Sequence, residues 1–199
     1  MTKERLSQLK ALCVFCGSSL GVEPGYRLAA ERLGRLLAEA GVTLVFGGGH
    51  VGLMGVLAEA ALKGGGRVIG VIPEHLLKVE SPFRDSSELI VVDSMHTRKR
   101  KMFDLADAFC VLPGGLGTFD ETFEILTWKQ LSLHSKPIIL ANVEGYWTPW
   151  MGLFEASVEK GFVQPGARRL FSLVDSVDEV LPSAAREIGA AVPDESRLF

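Results

Sequence analysis

The chain has 199 residues, 47% of them hydrophobic, which suits one domain with a real core and excludes a disordered segment. A net charge of -3 and a pI near 5.8 exclude a global basic field for nucleic acid or anionic lipid, whereas a small phosphorylated ligand needs only a local cluster of cations. No apolar run reaches membrane-spanning length and the polar start (Met1 to Lys10) is no signal region, so the expected location is the cytoplasm, without membrane or nucleic-acid partners.

Residues 11–16 read as a buried strand ending in Gly17-Ser18-Ser19. Pro24 opens a helix with Leu28, Leu33, Leu36 and Leu37 at its apolar positions, and Gly41 stops it. A second strand over 42–46 runs into Gly47-Gly48-Gly49, and a small-residue helix over 51–63 ends at Gly64-Gly65-Gly66. The third strand, 67–72, closes at Pro73, and a short helix and loop are expected over 74–87. A strand over 88–93, a helix over 95–105 and a strand over 108–112 lead into a Pro-Gly-Gly loop and a long helix over 118–133. A strand at 137–141, a helix at 149–160, a short strand at 171–174 and a helix at 177–188 follow, with a loose tail from Ala190.

Strands that are apolar throughout and alternate with helices predict a single α/β domain, a parallel sheet covered on both faces. Ligands of such sheets bind at the carboxyl ends of the strands, at the switch point. The glycine clusters at 17, 47–49 and 114–117 all follow strands and so share that edge.

Cys13 and Cys16 form a C-x-x-C pair inside a strand, not at a helix start, and read as buried, reduced core thiols. The histidines at 50, 75, 96 and 134 are scattered, and no metal site is expected. Gly47-x-Gly49-x-x-Gly52 matches the dinucleotide fingerprint weakly: it follows the second strand, and no acidic residue closes the next one. It reads either as close helix packing or as the backbone wall of a nucleotide pocket.

Pro113-Gly114-Gly115-Leu116-Gly117-Thr118-Phe119-Asp120-Glu121 is more specific. Its glycines let the backbone aim several N–H groups one way, and the following helix start adds its dipole and free N–H groups. That is a phosphate cradle without the Lys-Ser/Thr ending of a Walker loop. A plain capping box, Thr118-x-x-Glu121, explains two of these residues but not three glycines in four positions. In Met95-His96-Thr97-Arg98-Lys99, helical spacing puts Arg98 and Lys99 on the inward stripe of Met95, Met102, Leu105 and Ala106, with Arg100, Lys101 and Asp104 opposite. Inward cations at a helix N-terminus oppose the dipole and suggest an anion nearby: Glu121, Glu80 or a substrate phosphate. His96 reads as a local polar contact.

Together these two segments resemble the Lonely-guy (LOG) family, the cytokinin riboside 5'-monophosphate phosphoribohydrolases, whose relatives are often labelled lysine decarboxylases. The likeness runs from about residue 11 to 181 and includes Cys16-Gly17-Ser18-Ser19, Gly47-Gly48-Gly49-x-x-Gly52-Leu53-Met54-Gly55 and Thr127-Trp128-Lys129-Gln130-Leu131. It implies a Rossmann-like doubly wound sheet and a homodimer with sites near the subunit interface. It also implies Arg98 and Glu121 as the essential pair, with Lys99, Gly114, Gly115, Gly117, Thr118 and Glu80 binding the nucleotide. The expected reaction is hydrolysis of the N-glycosidic bond of an N6-substituted AMP, with no cofactor, Glu121 serving the water and the oxocarbenium-like centre. An isopentenyl group would need an apolar slot, for which Met95, Phe119 and Trp128 are candidates. Two rival readings are a pyridoxal-phosphate decarboxylase, with Lys99 as the Schiff-base lysine, and a non-catalytic nucleotide-binding protein.

Overall fold

The computed structural model describes residues 7–78 and 82–190. Seven strands form one all-parallel sheet: β1 Ala11–Phe15, β2 Thr43–Phe46, β3 Val68–Pro73, β4 Glu88–Val92, β5 Ala108–Val111, β6 Ile138–Ala141 and β7 Ser172–Val174. Their order is β4-β3-β2-β1-β5-β6-β7, so the winding reverses between β1 and β5. The helices are α1 Pro24–Ala40, α2 Gly52–Lys63, α3 Met95–Leu105, α4 Leu116–Gln130, α5 Thr148–Glu159 and α6 Val180–Glu187. This is the expected doubly wound α/β domain.

The sheet separates two apolar layers. Alternate β1 side chains enter them in turn: Leu12 and Val14 pack with α1, α2 and α6, and Cys13 and Phe15 pack with α3, α4 and the segment before β7. Central strands are buried on both faces and therefore need apolar residues at every position. The edge strand β4 is only half-covered, with Glu88 and Val91 exposed, because one neighbour is missing.

Helix bounds differ from the sequence reading in two places. α4 begins at Leu116, with Gly115 as a cap that makes no side-chain bond, so the Thr118-x-x-Glu121 box does not form. Both residues are buried inside the first turns instead. The helix expected over 177–188 splits into a 3₁₀ turn, Val177–Glu179, and α6. The stretch after β3 holds a short 3₁₀ turn, Leu76–Lys78; Glu80 and the tail from residue 191 lie outside the described residues. No helix among the described residues is long and apolar enough to cross a membrane.

Candidate active site

A cavity of about 260 Å³ opens at the carboxyl edge of the sheet, beside the switch point. Phe15 and Cys16 from the end of β1, Gly47 after β2, Met95 and Arg98 from α3, and Gly115, Gly117, Thr118 and Glu121 from the start of α4 all line it. The two motifs that stood out in the sequence therefore face one space.

α3 carries Arg98 in its first turn, where the helix dipole opposes a cation. Ser94 caps this helix by accepting the Thr97 N–H at 3.1 Å. What offsets the Arg98 charge is the carbonyl edge of the sheet. Its Nε donates to the Val71 carbonyl at 3.1 Å, and Nη2 donates to the Gly47 carbonyl at 3.1 Å. A side chain at position 47 would occupy the guanidinium's place, so the glycine is needed for this approach. The remaining nitrogen, Nη1, lies 3.6 Å from Glu121 Oε1 and 3.9 Å from Met95 Sδ. Strand carbonyls thus fix the guanidinium and leave one edge facing the carboxylate and the cavity.

Glu121 and Arg98 are each only 8% exposed. Burial raises the Glu121 carboxyl from 4.5 to about 7, and the Arg98 charge only partly counters it. A carboxyl that titrates near neutrality in a cavity is suited to moving protons. The thiol of Cys16, on the cavity wall, is pushed well up by burial and then by the nearby Glu121 charge, so it stays protonated and unreactive. All three cysteines are free and buried, Cys13 and Cys16 as the strand reading expected.

At the α4 N-terminus, Leu116, Gly117 and Thr118 occupy the first turn, whose N–H groups have no acceptor within the helix. The tight loop before it depends on Gly114. A Cβ there would strike the Thr118 hydroxyl and lie 2.9 Å from the Gly17 nitrogen. α2 differs. Its Leu53 N–H donates to the carbonyls of Gly17 at 3.0 Å and Ser19 at 3.3 Å, so that helix start is spent on packing. Of the Gly47–Gly52 segment, Gly47 lines the cavity and Gly52 packs closely on the Ser18–Ser19 backbone.

Lys99 points elsewhere than the sequence reading placed it. Its Nζ lies 3.1 Å from both Asp120 and Glu124. Burial works against its charge, but the two hydrogen bonds outweigh it and hold the ammonium above its ordinary pKa. A Schiff-base lysine needs a neutral amine, so these residues do not fit pyridoxal phosphate. The sequence reading missed Asp120 and Glu124 as its partners. It also missed Met54, Leu76 and Leu116 as apolar cavity lining. Of its three slot candidates, Met95 lines the cavity, whereas Phe119 packs on Trp147 and Trp128 on Phe103. His96 is exposed on α3.

Residues 54–184 match a family model described as "possible lysine decarboxylase". The cytokinin riboside 5'-monophosphate phosphoribohydrolase LOG7 of Arabidopsis thaliana is 44% identical over 179 residues, covering 90% of this chain and 82% of the relative. The chain belongs to the LOG family. The enzyme LOG of Oryza sativa subsp. japonica, another member, is 41% identical over 199 residues, covering 96% of this chain and 81% of the relative.

Among solved structures, a Moco carrier protein from Chlamydomonas reinhardtii superposes with a TM-score of 0.67 at 21% identity, covering 89% of this chain and 96% of that one. A molybdenum cofactor binding protein from Rippkaea orientalis gives 0.65 at 20%, with coverages of 87% and 94%. At that identity the likeness is one of fold. What distinguishes LOG-family chemistry must therefore be sought in the side chains of the cavity.

Proposed function

We propose that this protein hydrolyses the N-glycosidic bond of adenosine 5'-monophosphates, N6-substituted ones included, to free base and ribose 5-phosphate. The observation that carries this reading is the buried Arg98–Glu121 pair facing a cavity that begins at the α4 N-terminus. The names of the LOG-family relatives support it independently.

The 5'-phosphate sits on the first-turn N–H groups of α4, with Gly114, Gly115, Gly117 and Thr118 shaping the cradle. The ribose then lies along α4 toward Glu121. Water attacks C1' as the bond to the base nitrogen breaks, through an oxocarbenium-like transition state. Ionised Glu121 stabilises the developing cation and accepts the water proton, which passes through solvent to the departing base nitrogen and leaves Glu121 ionised again. Arg98 is too basic to serve as an acid. Held by two backbone carbonyls, it orients Glu121 and hydrogen-bonds the ribose or the departing base. Met54, Leu76 and Met95 provide an apolar wall for a substituent on the base.

We further propose a homodimer formed over α4 and α5. α5 has no buried residue although it is largely apolar, and Leu153 and Phe162 are 62% and 82% exposed. Leu116, also exposed, brings this apolar surface to the mouth of the cavity. Three buried free thiols suit the reducing cytoplasm.

The test is incubation with AMP and isopentenyladenosine 5'-monophosphate, following free base by chromatography, with the unphosphorylated nucleosides as controls. Release that needs both the phosphate and Glu121 is expected. Tight nucleotide binding without release from any of them would leave a non-catalytic nucleotide-binding protein.

A further inference from the structure

The loop that shapes the phosphate cradle is held from two sides. From the loop after β1, the Gly17 N–H donates to the Pro113 carbonyl at 3.0 Å. From the segment between β6 and α5, the Tyr146 hydroxyl donates to the next carbonyl, Gly114. Tyr146 is itself aimed by a tight turn. Its N–H donates to Val143, and the Trp147 N–H donates to the Asn142 side chain at 2.8 Å. The ring packs edge-on against Tyr26 and Trp147, with centroids 5.8 and 5.1 Å apart.

Tyr146 stands outside the cavity that holds Arg98 and Glu121. It lines an adjoining hollow that shares only Ser18 and Gly115 with that cavity. The Gly114 carbonyl and the Gly115 N–H belong to one planar trans peptide and point in opposite directions. A hydrogen bond on that carbonyl therefore fixes the direction of the Gly115 N–H, away from the tyrosine. It also polarises the peptide and makes that N–H a better donor. Glycines on both sides of this peptide impose little torsional preference of their own, so the orientation must come from outside.

We propose that Tyr146 is a positioning residue for the substrate phosphate, its hydroxyl orienting and polarising the Gly115 N–H through the Gly114 carbonyl. This rests on the phosphate-cradle part of the function proposed above. Tyr146→Phe keeps the ring and its packing and removes only the donor.

The experiment is calorimetric titration of wild type, Tyr146→Phe and Tyr26→Phe with inorganic phosphate and with ribose 5-phosphate, plus steady-state kinetics on AMP. Tyr146→Phe should bind both ligands roughly 3–10-fold more weakly, the range of one lost hydrogen bond. KM should rise by a similar factor, with kcat within about twofold and a melting temperature within a few degrees of wild type. Tyr26→Phe, altered on the ring beside Tyr146, should bind like wild type. Unchanged affinity in Tyr146→Phe, or an equal loss in Tyr26→Phe, overturns the proposal. Wild type that binds ribose 5-phosphate but releases no base refutes the hydrolase alone, and the Tyr146 comparison still decides. Wild type that binds neither ligand overturns both.

Discussion

Glu121→Gln should make the protein more stable while abolishing turnover. The Glu121 carboxyl titrates near 4.5 when unfolded and about 7 when folded, because burial disfavours its charge more than Arg98 favours it. Between these two values the folded state binds more protons, so stability falls as pH rises from about 4.5 to about 7 and stays lowered above that. At 1.36 kcal/mol per pH unit the loss is about 3 kcal/mol. Gln has the same shape and no charge to desolvate, and Arg98 keeps its bonds to Val71 and Gly47. Thermal unfolding should show Glu121→Gln melting above wild type by roughly 6–12 °C at pH 8, with the two curves converging below pH 4.5. Base release should be lost at every pH. A variant that melts with wild type, or below it, at pH 8 refutes the account of a carboxylate held charged at the expense of stability.

Other outcomes follow from the same geometry. Wild-type kcat/KM for AMP should rise with pH through about 7, since Glu121 must be ionised to serve the water, and Arg98→Ala should move that limb to higher pH by removing the larger of the two charges, Arg98 and Lys99, that lower it; a pH–rate profile on both proteins checks the direction. Gly115→Ala should fold like wild type, because a Cβ there meets nothing within 4 Å, yet weaken ribose 5-phosphate binding in titration calorimetry if the phosphate fills that space. Gly114→Ala, by contrast, must displace Thr118 or Gly17 and should cost roughly 1–3 kcal/mol in denaturant unfolding. Leu153→Arg, on the exposed face of α5, should shift the protein toward monomer in sedimentation velocity without lowering its melting temperature by more than a few degrees.

The succession of strands along the chain, and the identity of the paired motifs, were legible in the sequence alone, whereas the order of the strands in the sheet was not. Parallel strands buried on both faces require largely apolar runs, and runs such as 42–46, between Gly41 and Gly47, and 108–112, closed by Pro113, permit little else. Helical spacing likewise put Arg98 on the inward face of α3, because 100° per residue is a local property. What the cations met was decided by the tertiary structure. Arg98 and Lys99 are adjacent in sequence and equally inward by periodicity, but one reaches the carbonyls of Val71 in β3 and of Gly47 just after β2, and the other reaches Asp120 and Glu124 on α4. No local pattern records which element packs alongside a helix. The same holds for Gly52 and Gly115, two glycines at helix starts on one sheet edge. Only the fold shows that the first helix start packs on the β1 loop through Leu53, while the second lines the cavity. Periodicity and spacing are written along the chain, whereas a hydrogen-bond partner is a matter of distance in space.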